Sequence, residues 1–358
     1  MRVGLIIYGS LETISGGYLY DRKLVEHLEC QGDQVEIISL PWRNYARHLG
    51  DNLAPAVLRR LNQLRVDFLL EDELNHPSLF WVNRHLDGAF PVISIVHHLR
   101  SSESRPAWQN HFYRQIERSY LSSVDGFIFN SLTTRQVVED LIREKKPCVV
   151  AFPAGDRLSP HISNEEISRR ACRPGPLRLL FLGNVIPRKG LHTLLEALSM
   201  LPEDAWQLSV AGRLDIDHAY RDSINQQVAR LGLSERVTFL GPLADEGLSE
   251  LLRASQVLAL PSSYEGFGIA YLEGMGFGLP SIATSGGAAG EIITDGCNGF
   301  LIKPGDVPEL RDCLQELVTN RQRLIELSLA ARKRYEAHPS WEQTGTSIRG
   351  FLEKFTEA

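Results

Sequence analysis

Short runs of apolar, largely β-branched residues alternate along the whole chain with longer stretches that carry apolar residues every three or four positions. The short runs predict strands and the longer stretches predict amphipathic helices. This alternation predicts parallel sheets with right-handed crossovers. The predicted strands are 3–7, 35–40, 68–70, 92–96, 126–129 and 149–152 in the first half, and 177–182, 207–211, 237–240, 257–260, 281–284 and 300–302 in the second.

A proline-rich divider over 153–176 separates the two sets of strands. Proline interrupts regular structure, and this divider holds Pro153, Pro160, Pro174 and Pro176. We therefore predict an α/β protein with two doubly wound, Rossmann-like domains, over 1–155 and 175–339. An eightfold βα barrel is the alternative topology. In the two-domain fold the site is expected in the cleft that the strand ends of both domains face.

Composition narrows the function classes. The chain has 358 residues, of which 43% are hydrophobic and 23% charged, so a core can form and disorder is excluded. The net charge of −6 argues against binding nucleic acid through bulk charge. The five cysteines are scattered, as in a reduced, cytoplasmic protein. No apolar run approaches the roughly 20 residues of a membrane span, so we expect a soluble protein.

The loop that follows the predicted strand 257–260 carries the strongest chemical pattern. Gly266 and Gly268 flank Phe267 where a helix must begin, so unpaired backbone N–H groups form an anion site. Glu265 precedes this helix and Glu273 lies in its second turn, where both can reach one ligand. Two carboxylates beside an anion site suit a ligand with a phosphate and many hydroxyls. A glycine-rich turn with surface glutamates is the alternative.

A second pattern follows the predicted strand 177–182. Gly183 lets the backbone approach a ligand, and Arg188 and Lys189 place two cations at the carboxyl edge of the sheet. Adjacent cations suit a diphosphate whose charge grows as it leaves. The alternative is a solvated pair in a loop.

The first half carries weaker marks. Gly16 and Gly17 follow the first strand, but they do not form a dinucleotide-binding fingerprint. Their backbone could approach a sugar or phosphate, or they could simply start a helix with Ser15 as its N-cap. His97 closes the strand 92–96 and either hydrogen-bonds a substrate hydroxyl or is a surface histidine with satisfied hydrogen bonds. The acidic run 71–73 could bind an acceptor, although a solvated acidic loop is the favoured interpretation.

Metal binding is not predicted. Asp215 and Asp217 form a D-x-D pattern, which we interpret as helix-capping acids. No cluster of His, Cys, Asp or Glu has metal-ligand spacing along the chain. No cofactor is expected.

Together and in this order, these residues resemble the retaining nucleotide-sugar glycosyltransferases of family 4, which have the GT-B fold. The resemblance covers nearly the whole chain, and its most specific part is the E-x7-E motif of Glu265 and Glu273 with its GFG loop. The other matching segments are Ser15-Gly16-Gly17, the strand ending at His97, Gly183 with Arg188-Lys189-Gly190, and Pro339-Ser340-Trp341-Glu342.

The resemblance implies a role for each of these residues. Arg188 and Lys189 would neutralise the diphosphate, Glu265 would bind sugar hydroxyls near the reacting carbon, and Glu273 would bind the ribose. His97 would position or polarise the donor sugar. Backbone groups would hold the sugar or phosphate at Phe267, Gly268 and Ile269, and the base near Arg213 and Leu243.

The resemblance also implies the reaction. A hexose would move with retention, without a required metal, from a nucleotide-diphosphate sugar to a hydroxyl of a glycan, a lipid-linked sugar or a small molecule. The N-terminal domain would bind the acceptor, and a helix near 340–358 would cross back to it. A catalytically silent sugar-nucleotide-binding subunit and a nucleotide-sugar epimerase are the alternatives.

Two features depart from the family pattern. The run Gly286-Gly287-Ala288-Ala289-Gly290-Glu291 lacks the family's proline, and His98 stands where many members have Asp or Thr.

The sequence does not identify the base and sugar of the donor or the acceptor. Peripheral contact with the inner face of a membrane is also open, because basic and aromatic residues gather at Trp42, Arg43, Tyr45, Arg47, Arg59, Arg60 and Arg65 among apolar ones. A solvated basic helix is the favoured interpretation of that stretch.

Overall fold

The computed structural model describes residues 1–88 and 90–356. The chain forms two compact units: Met1–Pro153 together with the chain from Pro339, and Ala154–His338. All twelve predicted strands are found, within one or two residues at most ends.

The first unit is built on a parallel sheet whose six described strands follow the order β2-β1-β3-β4-β5-β6. These strands are β1 (Arg2–Tyr8), β2 (Gln34–Leu40), β3 (Phe68–Asp72), β4 (Val92–Val96), β5 (Gly126–Phe129) and β6 (Cys148–Val150). The helices between them are α1 (Gly16–Cys30), α2 (Tyr45–Asp51), α3 (Pro55–Asn62), α4 (His76–Leu79), α5 (Ala107–Leu121) and α6 (Leu132–Ile142).

Strand β1 is apolar almost throughout because it lies between β2 and β3 and is covered on both faces. Val3 pairs with Val35 on one side and Phe68 on the other. Every residue of β1 after Arg2 is buried. Such near-continuous apolar runs are typical of parallel sheets, whose two faces are both packed.

The second unit repeats the plan, and its described strands follow the order β12-β11-β10-β7-β8-β9. Its helices are α7 (Asn164–Ala171), α8 (Leu191–Ser199), α9 (His218–Arg230), α10 (Asp245–Ala254), α11 (Ile269–Gly276), α12 (Val307–Thr319) and α13 (Arg321–Glu336). Its strands are β7 (Leu177–Leu182), β8 (Trp206–Ala211), β9 (Val237–Gly241), β10 (Val257–Ala259), β11 (Ser281–Thr284) and β12 (Gly299–Ile302).

The sequence predicted that the proline-rich segment only divides the two sets of strands, but most of it belongs to the second unit. Residues from Ala154 onward belong to the second unit. Helix α7 forms inside the segment because Ser163 and Glu166 make a capping box, in which each side chain accepts from the other's backbone N–H.

The last helix, α14 (Trp341–Thr356), packs in the first unit. The Trp341 ring lies 5.8 Å from that of Tyr20 on α1, and the Thr344 hydroxyl donates to the carbonyl of Phe152 at 2.7 Å. A bilayer-crossing helix is not among those that the described residues form.

Candidate active site

Each sheet has a topological switch point, where the chain turns from building one side of the sheet to building the other. In the second unit the switch point lies between β7 and β10. Ligands of open α/β sheets bind at the carboxyl ends of the strands there. The loops after β7 and β10 carry Arg188, Lys189 and Glu265, so the fold brings together the residues that the sequence singled out.

Glu265 is the centre of this site. Its carboxylate lies 2.5 Å from Nζ of Lys189 and 3.6 Å from a guanidinium nitrogen of Arg188. The Ser262 hydroxyl donates to it at 2.6 Å. Arg188 also donates to the carbonyl of Tyr264 at 2.7 Å. Glu265 is 6% exposed, so the carboxylate and the two cations form a largely buried cluster.

The two cations keep Glu265 ionised. Burial alone would raise the pKa of Glu265, but Lys189 and Arg188 outweigh burial and lower it to about 2. Burial lowers the pKa of Lys189, and Glu265 opposes that shift. Lys189 has three N–H donors, so it can hold Glu265 and still donate to a phosphate oxygen.

The loop that departs from the family pattern supports the backbone of Glu265. Glu265 N–H donates to the carbonyl of Gly286 at 3.0 Å, and Ala288 N–H donates to the carbonyl of Glu265 at 2.8 Å. Gly287 has φ +87°, and a Cβ there would lie 2.0 Å from the carbonyl oxygen of Glu265. The loop therefore needs glycine at 287 and forms without the proline. Glu291 ends a short 3-10 helix, Ala288–Glu291.

Helix α11 begins beside this loop. Gly268 is its N-cap with φ +101°, and a Cβ there would lie 2.4 Å from the Tyr271 ring. The first-turn N–H groups of a helix have no partner within the helix, so the start of α11 at Ile269 is suited to an anion. Phe267 is buried, with its ring 5.8 Å from that of His338.

Glu273 has a partner that sequence reasoning missed. Its Oε1 accepts from Nε of Arg157 at 2.5 Å, and Arg157 also bonds to Asp245 at the start of α10. Burial raises the pKa of Glu273, and Arg157 opposes the rise. The structure thus gives Glu265 and Glu273 different cationic partners. Arg157 lies 116 residues from Glu273, and no local spacing links the two.

The remaining predicted residues of this unit lie at the ends of neighbouring strands. Gly183 follows β7, and a Cβ there would be 3.5 Å from Cε of Lys189. Arg213 follows β8, and its guanidinium binds both oxygens of Asp215 at 3.0 and 2.9 Å. The carbonyl of Arg213 accepts from Val185 N–H at 2.9 Å. Leu243 follows β9 and is half-buried.

Both acids of the D-x-D pattern were predicted to cap a helix, and the structure confirms this for one of them. Asp217 is the N-cap of α9 and accepts from Tyr220 N–H at 3.0 Å. Asp215 instead holds Arg213.

In the first unit, Gly16 and Gly17 start α1, and Ser15 caps it by accepting from Tyr18 N–H at 3.3 Å. A Cβ at Gly17 would lie 3.1 Å from Cδ2 of His97. Gly17 therefore leaves room for the His97 ring.

His97 is tied to its neighbours through backbone and side chain. Its N–H donates to Glu73 Oε2 at 3.0 Å, and its carbonyl accepts from the Asn130 amide at 2.8 Å. Its Nε2 lies 3.3 Å from Asp21 Oδ1. His98 bonds to Glu103 instead, at 3.0 Å.

The prediction of a solvated acidic loop at 71–73 is wrong. Glu71 and Asp72 lie within β3, and Glu73 begins a 3-10 helix; all three are at most 3% exposed. Glu71 is buried because β3 pairs with β1 and β4, which place it between Ile6 and Ser94.

Burial raises the pKa values of these acids and of Asp21. It raises the pKa of Asp21, Asp72 and Glu71 to about 7 and raises that of Glu73 as well. It lowers the pKa of His97. Chain spacing predicted no metal cluster, but folding brings ligand atoms of Asp21, Asp72 and His97 within 4.8 Å of one another. That distance alone would admit a cation.

Comparison with known proteins decides the family. Residues 163–334 match the model of the family described as "Glycosyl transferases group 1". The matched residues make up most of the second unit, Ala154–His338. The family resemblance predicted from the sequence is therefore confirmed.

Curated relatives of the chain are named as glycosyltransferases and a mannosyltransferase. A D-inositol 3-phosphate glycosyltransferase of Rhodococcus erythropolis is 30% identical over 254 residues, which are 68% of this chain and 57% of that protein. The chain thus spans little more than half of such relatives. A phosphatidyl-myo-inositol mannosyltransferase of Mycobacterium leprae is 27% identical over 372 residues, 94% of this chain and 93% of that protein.

Solved structures confirm the predicted GT-B fold. Sucrose-phosphate synthase from Thermosynechococcus elongatus matches with a TM-score of 0.85 at 20% identity, over 99% of each chain. HepE from Anabaena, in complex with UDP-glucose, matches with a TM-score of 0.76 at 20% identity, over 100% of each chain.

Proposed function

We propose that the chain is a retaining glycosyltransferase that moves a hexose from a nucleoside-diphosphate sugar to a hydroxyl acceptor. The observation that carries this is the Lys189–Glu265–Arg188 cluster at the switch point of a group 1 glycosyl transferase domain. An ionised carboxylate held beside two cations offers an acceptor for sugar hydroxyls and donors for a diphosphate at one strand edge.

The chemistry assigns work to each group. The bond between the sugar's anomeric carbon and the diphosphate breaks, and Arg188 and Lys189 stabilise the charge that grows on the leaving oxygen. A bond forms from the acceptor oxygen to the anomeric carbon on the same face. The acceptor proton goes to the leaving phosphate oxygen, so the products are a glycoside and a protonated nucleoside diphosphate. We propose that no metal is required.

The acceptor is a glycan, a lipid-linked sugar or a small polyol. The relatives' names support this range, since they include glycosyltransferases of inositol 3-phosphate and of phosphatidyl-inositol. A lipid-linked acceptor would bring the chain to the cytoplasmic face of a membrane. Trp42 and Leu53 are 63% and 80% exposed in the stretch of chain that also carries Arg59 and Arg60. The cations of this stretch would contact anionic headgroups, and its exposed apolar side chains would enter the interface. If the protein does not float with anionic liposomes, the proposed membrane contact is refuted, whereas the proposed glycosyltransferase activity is unaffected.

Thermal stability against UDP, GDP and ADP with a chelator present tests the donor site. A ligand at about 100 times its dissociation constant adds roughly 2.7 kcal/mol, which gives a clear rise in Tm. We expect one nucleotide to stabilise the wild type and not the Arg188→Ala/Lys189→Ala variant. The matched control is Arg59→Ala/Arg60→Ala, which removes an exposed cation pair from α3 and should keep the full shift.

The donor site would be refuted if the same nucleotide also stabilised the Arg188→Ala/Lys189→Ala variant. It would equally be refuted if no nucleotide stabilised either protein. Release of nucleoside diphosphate that depends on an added acceptor separates a transferase from a silent subunit. An epimerase would alter the sugar without an acceptor.

A further inference from the structure

The Asp21 carboxylate faces the imidazole of His97. Asp21 Oδ1 lies 3.3 Å from His97 Nε2, the long end of the range for such a bond. The Asp21 side chain is fully buried and that of His97 is 9% exposed. Asp21 comes from α1, whereas His97 follows β4. A ring nitrogen that faces a carboxylate carries a proton, and in a neutral imidazole the other nitrogen is then an acceptor.

Two orphaned oxygens show how Asp21 stays ionised. Asp21 Oδ2 and Asp72 Oδ2 are buried without a hydrogen-bond partner in the described residues. The two carboxyl groups are nevertheless close enough to hydrogen-bond each other. Asp72 Oδ1 already accepts from Leu74 N–H at 2.8 Å. One proton on Asp72 Oδ2, donated to Asp21, satisfies both orphans and leaves the negative charge on Asp21.

The remaining neighbours hold the His97 ring without using Nδ1. Gly17 lies against Cδ2, and the Tyr20 ring stands edge-on with its centroid 5.2 Å away. Glu73 and Asn130 bind only the backbone of His97. Within residues 1–88 and 90–356, Nδ1 makes no hydrogen bond and is not among the atoms sealed from solvent.

We propose that Asp21 is a positioning residue for sugar transfer: it holds His97 in the Nε2–H tautomer, so that Nδ1 accepts a hydrogen bond from a substrate hydroxyl. This inference rests on the proposed function and on the role that the family resemblance implies for His97, which is to position or polarise the donor sugar. Protonated Asp72 is the second support, because it fixes Asp21 from the opposite side. An aspartate that sets the tautomer of a catalytic histidine is a general device of enzymes.

Nitrogen-15 NMR of the histidine rings tests the tautomer directly. The signal of His97 is the one lost in His97→Gln. We expect the Nε2–H tautomer in the wild type near neutral pH. In Asp21→Asn the amide can donate to Nε2, so the ring should shift toward the Nδ1–H form. Asp125→Asn, whose side chain accepts from Val92 N–H far from this ring, is the matched control and should leave the tautomer unchanged.

An Nδ1–H ring in the wild type, or an unchanged ring in Asp21→Asn, would overturn the proposal. Elemental analysis of the purified protein gives a further test. One equivalent of bound Zn²⁺ or Mn²⁺ that is lost in Asp21→Asn would also overturn the proposal, because a cation would then take the place of the shared proton.

Turnover tests the consequence. With UDP-glucose or GDP-mannose as donor, Asp21→Asn should lower kcat by tenfold or more while the KM for the donor stays within about twofold, since the donor's diphosphate binds elsewhere. An unchanged kcat overturns the positioning role. Nucleotide-induced stabilisation should persist in Asp21→Asn, so the proposed donor site would remain even if the positioning role of Asp21 were refuted. A wild type that binds no nucleotide would instead refute the proposed function itself.

Discussion

At the carboxyl edge of the second sheet, Glu265 is buried beside two cations, whereas at the same edge of the first sheet Asp72 is buried beside two further carboxyl groups. Both places are switch points of parallel sheets with short loops and a helix start. They differ in what balances the buried charge: Lys189 and Arg188 in the second unit, and shared protons in the first.

This difference separates two kinds of binding surface. Cations that balance a carboxylate can also bind a diphosphate, so the second unit suits the charged part of a donor. Buried carboxyl groups that share protons add little net charge beside His97, which suits contact of that histidine with neutral hydroxyls. The same topology therefore supports two chemistries, and the side chains at the strand ends decide which.

The largest effect is expected from breaking the cation–carboxylate pair. Lys189→Met leaves Glu265 buried without its nearest cation, and loss of one partner of a buried pair costs about 3–5 kcal/mol. Urea unfolding measures this loss. The double variant Lys189→Met/Glu265→Gln should recover most of the stability but not the activity. Equal losses in the single and double variants would show that Lys189 does not act through Glu265.

The two units should respond to acid in opposite directions. The pKa of Glu265 is lowered from 4.5 to about 2, so its contribution is present above about pH 4.5 and is lost as pH falls towards 2. A shift of that size corresponds to about 3 kcal/mol. Free energies of unfolding across this interval should fall more steeply for the wild type than for Glu265→Gln. Parallel profiles would contradict the ionised, paired state of Glu265.

The acidic cluster of the first unit should lose stability as pH rises. The folded-state pKa of Asp72 is raised from 3.8 to about 7, so its native contribution is complete below about pH 4 and is lost as pH rises through 7. Asp72→Asn mimics the protonated acid. Its free energy of unfolding should exceed that of the wild type by about 4 kcal/mol at about pH 8, and the two should converge as pH falls towards 4. An offset independent of pH would contradict proton sharing.

The smallest change in stability, less than about 1 kcal/mol, is expected at Gly17. In Gly17→Ala the new Cβ would press on the His97 ring, which should lower turnover about tenfold while Tm hardly moves. Gly350→Ala in α14, where a Cβ meets nothing within 4 Å, controls for a glycine lost from a helix. Full activity of Gly17→Ala would remove His97 placement as the reason for glycine there.

Much of the fold can be predicted from the sequence because the local spacing of apolar residues indicates strands and helices. The errors arose where polar residues are buried. Strand β3 continues through Glu71 and Asp72, which no propensity favours, since carboxylates are rarely buried. Helix α7 was missed because prolines on both sides hid its capping box.

The sequence by itself determined the strands, the loops that carry chemistry and the family motifs, because each depends on residues close together in the chain. The tertiary structure decided which charges meet. Lys189 and Glu265 are 76 residues apart, Arg157 and Glu273 are 116, and Asp21 and His97 are 76. Ionisation depends on burial and on such distant partners, so only the folded chain shows which acids are charged and which share a proton.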